Sequence, residues 1–146
     1  MLSVIVETAD AGDRLPLLLG ALTSAAVDGL VREVLISGGG PPDLLDVLRE
    51  ETGAEVAQDL RGAIAAARSD RLLALPAGLR LRSDWLARLG RHLREGGGEA
   101  LLVGEGGALS GRSYGVLIGK AAAAGLAAPD LKRLRRLLRR GAARLV

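Results

Sequence analysis

The chain has no cysteine and no phenylalanine, and only one tryptophan, one tyrosine and one histidine. Without cysteine there is no disulfide framework, no thiol nucleophile and no thiolate metal site. The lone His92 sits among arginines with no acidic neighbour at ligand spacing, and is read as a surface residue. Scarce aromatics remove the stacking platform that single-stranded nucleic acids need, so no nucleic acid partner is expected. They also mean that Leu, Val, Ile and Ala must build the core, leaving Trp85 and Tyr114 as either large core anchors or cleft residues. No apolar run approaches the length of about 18 residues that a membrane-spanning helix needs. Met1 leads straight into Leu2–Val6 without a basic leader region. The expected location is therefore the cytoplasm, with peripheral attachment to the inner face of the membrane as the alternative.

The 146 residues, 49% of them apolar, suit a single domain spanning 1–146 with a sizeable core. Net charge is +3, unevenly placed. From Pro129 to Val146 seven Lys or Arg residues face one acid, Asp130, a local charge of +6 that leaves the first 128 residues at −3. The basic character thus belongs to the last segment.

Strands and helices alternate along the chain. Leu2–Glu7 and Val31–Ser37 are apolar runs of strand length, the second ended by Gly38, Gly39 and Gly40. Between them Asp13 opens a helix to about Val27. Asp43 opens a second helix to about Thr52, closed by Gly53. Glu55–Gln58 is a short strand and Leu60–Ser69 an Ala-rich helix. Arg71–Leu75 is a buried strand stopped by Pro76 and Gly78. Ser83 can cap the helix that follows, in which Trp85, Leu86, Leu89 and Leu93 recur at helical spacing. Ala100–Val103 and Tyr114–Ile118 read as strands around a glycine-rich loop, Lys120–Leu126 as a short helix or turn, and 130–140 as the final helix. This order predicts an α/β fold with three α/β/α layers and a mainly parallel sheet covered on both faces. Ligands of such sheets collect outside the carboxyl ends of the strands, which directs attention to the loop at Pro76.

Four places give the chain a family resemblance: Ser3–Val6 with Asp13-Arg14-Leu15; Leu30–Ile36 with its glycine turn and Asp43; Arg61-Gly62 opening an Ala-rich helix; and Asp70–Leu75 leading to Arg80-Leu81 and Trp85-Leu86. In order and spacing these resemble the inverting glycosyltransferases of family 2 type, nucleotide-diphospho-sugar transferases of compact GT-A-like fold. The resemblance implies a UDP- or GDP-sugar ligand and a divalent cation, Mg²⁺ or Mn²⁺, holding the diphosphate through an Asp-x-Asp pair.

The departures fall where that chemistry is carried. Pro76 and Gly78 stand at the Asp-x-Asp positions, and neither can ligate a metal through a side chain. No metal site and no bound cofactor are therefore expected. Ser37 stands where the family has an Asp that helps hold the base. Glu7 and Asp10 occupy the first-strand loop, and Pro129-Asp130 the Glu-Asp pair that includes the general base. Asp130 is thus the candidate base, eleven residues before Gly141. The candidate nucleotide-sugar set is Glu7, Asp10, Ser37, Gly38, Gly39, Asp43, Arg61, Pro76 and Gly78. Simpler readings stand beside these: Asp130 and Asp43 are natural helix caps, and the glycines a plain turn.

The expected function is a glycosyltransferase-like protein, degenerate and without metal-dependent transfer, that binds or scaffolds. One alternative is a metal-independent transferase in which Arg61 or the tail arginines offset the diphosphate and Asp130 is the base. Another uses the last helix, with Leu131, Leu134, Leu137 and Leu138 on one side and arginines around them. Such a helix can dock on an anionic membrane surface or an acidic protein partner, or pack in the core with a solvated basic face.

Overall fold

The computed structural model describes residues 1–8, 15–38, 46, 49–50, 53–105, 114–126, 129–138 and 143–145. In chain order the elements are β1 (Leu2–Glu7), α1 (Leu15–Val27), β2 (Val31–Ser37), β3 (Glu55–Ala57), α2 (Leu60–Ala66), β4 (Arg71–Pro76), α3 (Trp85–Arg94), β5 (Ala100–Val103), β6 (Tyr114–Gly119), α4 (Lys120–Ala124), α5 (Leu131–Leu137) and β7 (Ala143–Leu145). Seven strands form one sheet in the order β3-β2-β1-β4-β6-β5-β7. The β3-β2-β1-β4 half is parallel, and β7 is parallel to β5.

Helices cover both faces, which is why the central strands read as unbroken apolar runs rather than alternating ones. On one face Val4, Val6, Leu73 and Leu75 meet Leu18, Leu19 and Leu22 of α1 and Trp85 and Leu89 of α3. On the other, Ile5, Leu35, Ala74 and Val116 meet Ala63 and Ile64 of α2, Ala123 of α4 and Leu134 of α5. Trp85 is 8% exposed and Tyr114 4%, so both belong to the core. The three-layer, mainly parallel arrangement follows the expectation.

Several details differ. β6 runs antiparallel to both β4 and β5, a direction that its apolar composition does not encode. β7 was not anticipated; three residues are too few to show a period. The final helix ends at Leu137 instead of Arg140, because Leu138 turns extended with φ −66° and ψ 135°; Arg139 and Arg140 lie outside the described residues. α2 stops at Ala66 rather than Ser69 because Ala67 is extended. The Lys120 ammonium then donates to the Ala67 carbonyl at 2.6 Å, satisfying an acceptor just past the helix end. Asp84, not Ser83, precedes α3; its carboxylate makes no cap bond and pairs with Arg88 one turn on. The expected second helix from Asp43 falls largely outside the described residues.

Candidate functional site

The strand register assembles the site. Glu7 pairs with Ser37 on β2 and with Pro76 on β4, all at the carboxyl ends of their strands. Paired residues of parallel strands project to the same face. Alternation from Ile5, Leu35 and Ala74 places all three on the face covered by α2, α4 and α5. Two residues beyond the Ala74–Val116 pair, the antiparallel register brings Tyr114 level with Pro76, and Tyr114 in turn pairs with Val103. One row therefore crosses the sheet from Ser37 through Glu7 and Pro76 to Tyr114.

Ser37 is 1% exposed, and among the described residues its hydroxyl has no hydrogen-bond partner. Its carbonyl, by contrast, accepts from both the Thr8 amide at 3.0 Å and the Thr8 hydroxyl at 2.9 Å. The backbone is fastened while the side chain is unspent. A buried polar group left unpaired is rare and costs about 1–3 kcal/mol, so such an atom invites a ligand.

The loop after β4 is equally fastened. The Ala77 amide donates to the Glu7 carbonyl at 2.9 Å, and the Leu79 amide closes a turn onto the Pro76 carbonyl at 3.0 Å. The β4–β6 pairing ends at Ala74, so the missing Pro76 amide hydrogen interrupts no ladder there. Gly78 is not in the left-handed region, and a Cβ added to it would meet nothing within 4 Å. This turn supplies backbone order and no side-chain oxygen.

Gly38 has φ +96°, a conformation open to glycine at little cost, and its amide donates to the Ala57 carbonyl at 3.3 Å. That amide is thus directed into the sheet edge rather than toward a phosphate. Asp10, Gly39 and Asp43 lie outside the described residues. Arg61 is exposed in the first turn of α2, beside the cap Asp59, whose carboxylate accepts from the Gly62 amide at 2.8 Å.

Asp130 caps α5. One carboxylate oxygen accepts from the Arg133 amide at 2.7 Å and the other lies 3.7 Å from the Arg133 guanidinium. Leu134 is fully buried, and Leu131 and Leu138 pack against the same cluster. Lys132, Arg133 and Arg136 face solvent. The leucines expected for docking are thus turned inward, with Leu137, 38% exposed, the exception.

Arg135 was missed by the sequence reading as an individual residue. Its guanidinium carbon stands 4.4 Å from the centroid of the Tyr114 ring, and its Nη1 donates to the Tyr114 hydroxyl at 3.0 Å. The two residues are 21 apart in sequence, and only the packing of α5 on β6 joins them. A lone tyrosine opening a strand, with a basic helix downstream, was the available signal.

The described residues do not fit a divalent cation. Pro76 and Gly78 offer no side-chain oxygen, and among the described residues no group of three His, Asp or Glu side chains converges. Nor, among them, is any helix long and apolar enough to cross a membrane. A cavity of about 280 Å³ lies elsewhere, beside the amino-terminal half of β2. Its wall includes Glu33, whose carboxylate accepts from the Ser3 hydroxyl at 2.8 Å and the Arg68 amide at 2.7 Å.

A scan against models of known families finds no match, and neither does a comparison with curated proteins. Solved structures do match. Glucosyl-3-phosphoglycerate synthase from Mycobacterium tuberculosis, seen with phosphoglyceric acid, is 16% identical with a TM-score of 0.62 over 84% of this chain and 58% of that one. TarS (1–349) from S. aureus is 14% identical with a TM-score of 0.57, over 83% of this chain and 47% of that one. The 4-diphosphocytidyl-2C-methyl-D-erythritol synthase of Anaerococcus prevotii is 11% identical with a TM-score of 0.58, over 93% and 83%. The chain thus has a GT-A-like fold, shared by glycosyl- and nucleotidyltransferases, and spans about half the length of the first two neighbours.

Proposed function

We propose that this chain binds a nucleoside-diphosphate sugar in the crevice lined by Glu7, Ser37 and Pro76, and that it is a degenerate transferase-like module that binds or scaffolds without metal-dependent transfer. The orphaned Ser37 hydroxyl carries the reading: a buried polar group with nothing to bond among the described residues, at the carboxyl edge where ligands of open α/β sheets gather. The base of the nucleotide supplies the missing partner. Arg61 is exposed on α2, and a Cβ at Gly78 would meet nothing within 4 Å, so neither position closes the strand ends to a ligand. The absence of paired carboxylates at Pro76 and Gly78 supports loss of the cation-dependent step. With its carboxylate engaged as a helix cap, Asp130 is held back from service as a base.

Thermal-shift and calorimetric titration with UDP, GDP and their sugars, with and without Mn²⁺, tests this. Saturable binding, unchanged by Mn²⁺ and without turnover, is the expected result. Sugar transfer or hydrolysis that depends on Mn²⁺ would overturn the degenerate reading, and transfer without metal would return Asp130 and the tail arginines to the chemistry. Absence of any nucleotide binding would overturn the crevice assignment itself.

A further inference from the structure

We propose that Arg135, aimed by Tyr114, receives a phosphate oxyanion at the β6 end of the crevice; this rests on the nucleotide-sugar reading above. A guanidinium presents several N–H donors and does not lose its charge at any working pH. Among the described residues Arg135 spends one donor on the Tyr114 hydroxyl and meets no carboxylate within ion-pair distance. The ring beneath it attracts the cation but supplies no counter-charge. Its neighbours on α5 do not help: Asp130 is taken by Arg133, while Lys132 and Arg136 add charge of the same sign. The result is a half-buried cation, held against the Tyr114 ring and hydroxyl and uncompensated among the described residues, which is the arrangement that accepts an oxyanion bidentately.

Its place in the row gives the ligand a direction. From Ser37 on β2 to Tyr114 on β6 is three strand spacings, about 14 Å. Among the described residues an unspent hydroxyl stands at one end and an uncompensated cation at the other. A nucleoside carrying phosphates has the same polarity, a neutral hydrogen-bonding edge followed by an anion. The phosphate has two sources: the diphosphate of the nucleotide, or a phosphorylated second ligand on the β6 side.

Calorimetry on the full chain at low salt, with UDP, uridine, inorganic phosphate and inorganic pyrophosphate as probes, separates these. Loss of one charge-assisted contact predicts that Arg135→Gln weakens UDP about 10- to 100-fold and leaves uridine unchanged, if the diphosphate is the source. If the second ligand is the source, UDP is unchanged and phosphate binding to the UDP-saturated protein disappears. Tyr114→Phe keeps the buried ring and removes the aiming hydroxyl, so a smaller loss in the same arm is expected, with melting temperatures near the parent's confirming the fold. Equal affinities of parent and Arg135→Gln for every probe would overturn the inference while the crevice reading stands. Should the parent bind neither UDP nor uridine, the crevice reading fails alone: pyrophosphate binding lost in Arg135→Gln still upholds the anion site, and no pyrophosphate binding overturns it too.

Discussion

Whether the basic helix belongs to the folded body or is an arm free to dock elsewhere is decided by Leu134. The side chain is fully buried against the α2, α4 and β6 residues of its cluster, whereas Leu137, on the same helix, is 38% exposed. Truncating Leu134 to Ala removes the transfer energy of the lost carbons and leaves a cavity that a sheet-backed site cannot collapse, a combined cost of about 3 kcal/mol. The same change at Leu137 removes atoms already partly in water and costs under about 1 kcal/mol. For a chain of this size, Leu134→Ala then lowers the melting temperature by about 6–12 °C. Trp85 is the only tryptophan and lies in the cluster on the opposite face of the sheet, so its fluorescence during urea unfolding reports the far side of the molecule. If α5 is an integral part of the cooperative unit, Leu134→Ala moves the Trp85 midpoint with little change in slope. A Trp85 transition unmoved by Leu134→Ala, or moved equally by Leu137→Ala, would refute the assignment of α5 to the core and put the detachable docking helix back in contention.

Ser37→Ala should leave the ligand-free protein as stable or slightly more so, because the hydroxyl it deletes bonds to nothing among the described residues, yet weaken nucleotide binding; paired melting and calorimetry check both halves. Gly115→Ala should destabilise by about 1–3 kcal/mol, since its Cβ would run into a Leu75 methyl and lie 3.2 Å from the Ala74 carbonyl. A denaturation midpoint unchanged by Gly115→Ala would contradict the close approach of β6 to β4. The hydrogen bond from Arg88 holds the Asp84 carboxyl below its ordinary value of 3.8. A carboxyl lowered on folding stabilises above its unfolded pKa and loses that contribution as pH falls through the folded one. Asp84→Asn should therefore flatten stability only over that acid range, and a difference from the parent that persists at lower pH would count against the pairing.

The fold was legible wherever burial on both faces left an unbroken apolar run. Leu2–Glu7 and Val31–Ser37 were bounded correctly because glycines and charged residues end the runs just where the ladder ends. Strand direction was not legible. Tyr114–Ile118 carries the same composition whether it runs parallel or antiparallel to β4, and only the connection from β5 decides which. Of the candidate site, the place of Glu7, Ser37 and Pro76 at strand ends was legible, because strand ends are visible locally. That the Ser37 hydroxyl is orphaned is invisible locally, for it depends on what the neighbouring chain withholds. Arg135 was one arginine among several on α5, and only a tyrosine on another strand singles it out.

The same distinction separates what holds the strand ends in shape from what they display. The bonds that fix the mouth run between main-chain atoms: the Ala77 amide to the Glu7 carbonyl, the Leu79 amide to the Pro76 carbonyl, the Thr8 amide to the Ser37 carbonyl. Nearly any residue supplies an amide and every residue a carbonyl, so the side chains at positions 76 and 78 are not constrained by the frame that displays them. Proline is tolerated at 76 because its missing hydrogen falls beyond the β4–β6 ladder, and Gly78 has neither a positive φ nor a neighbour within Cβ reach to demand it. The side chains at positions 76 and 78 can therefore vary while packing and backbone hydrogen bonding stay intact. The atoms that hold the backbone frame and the side chains it displays are different, so either can change without the other.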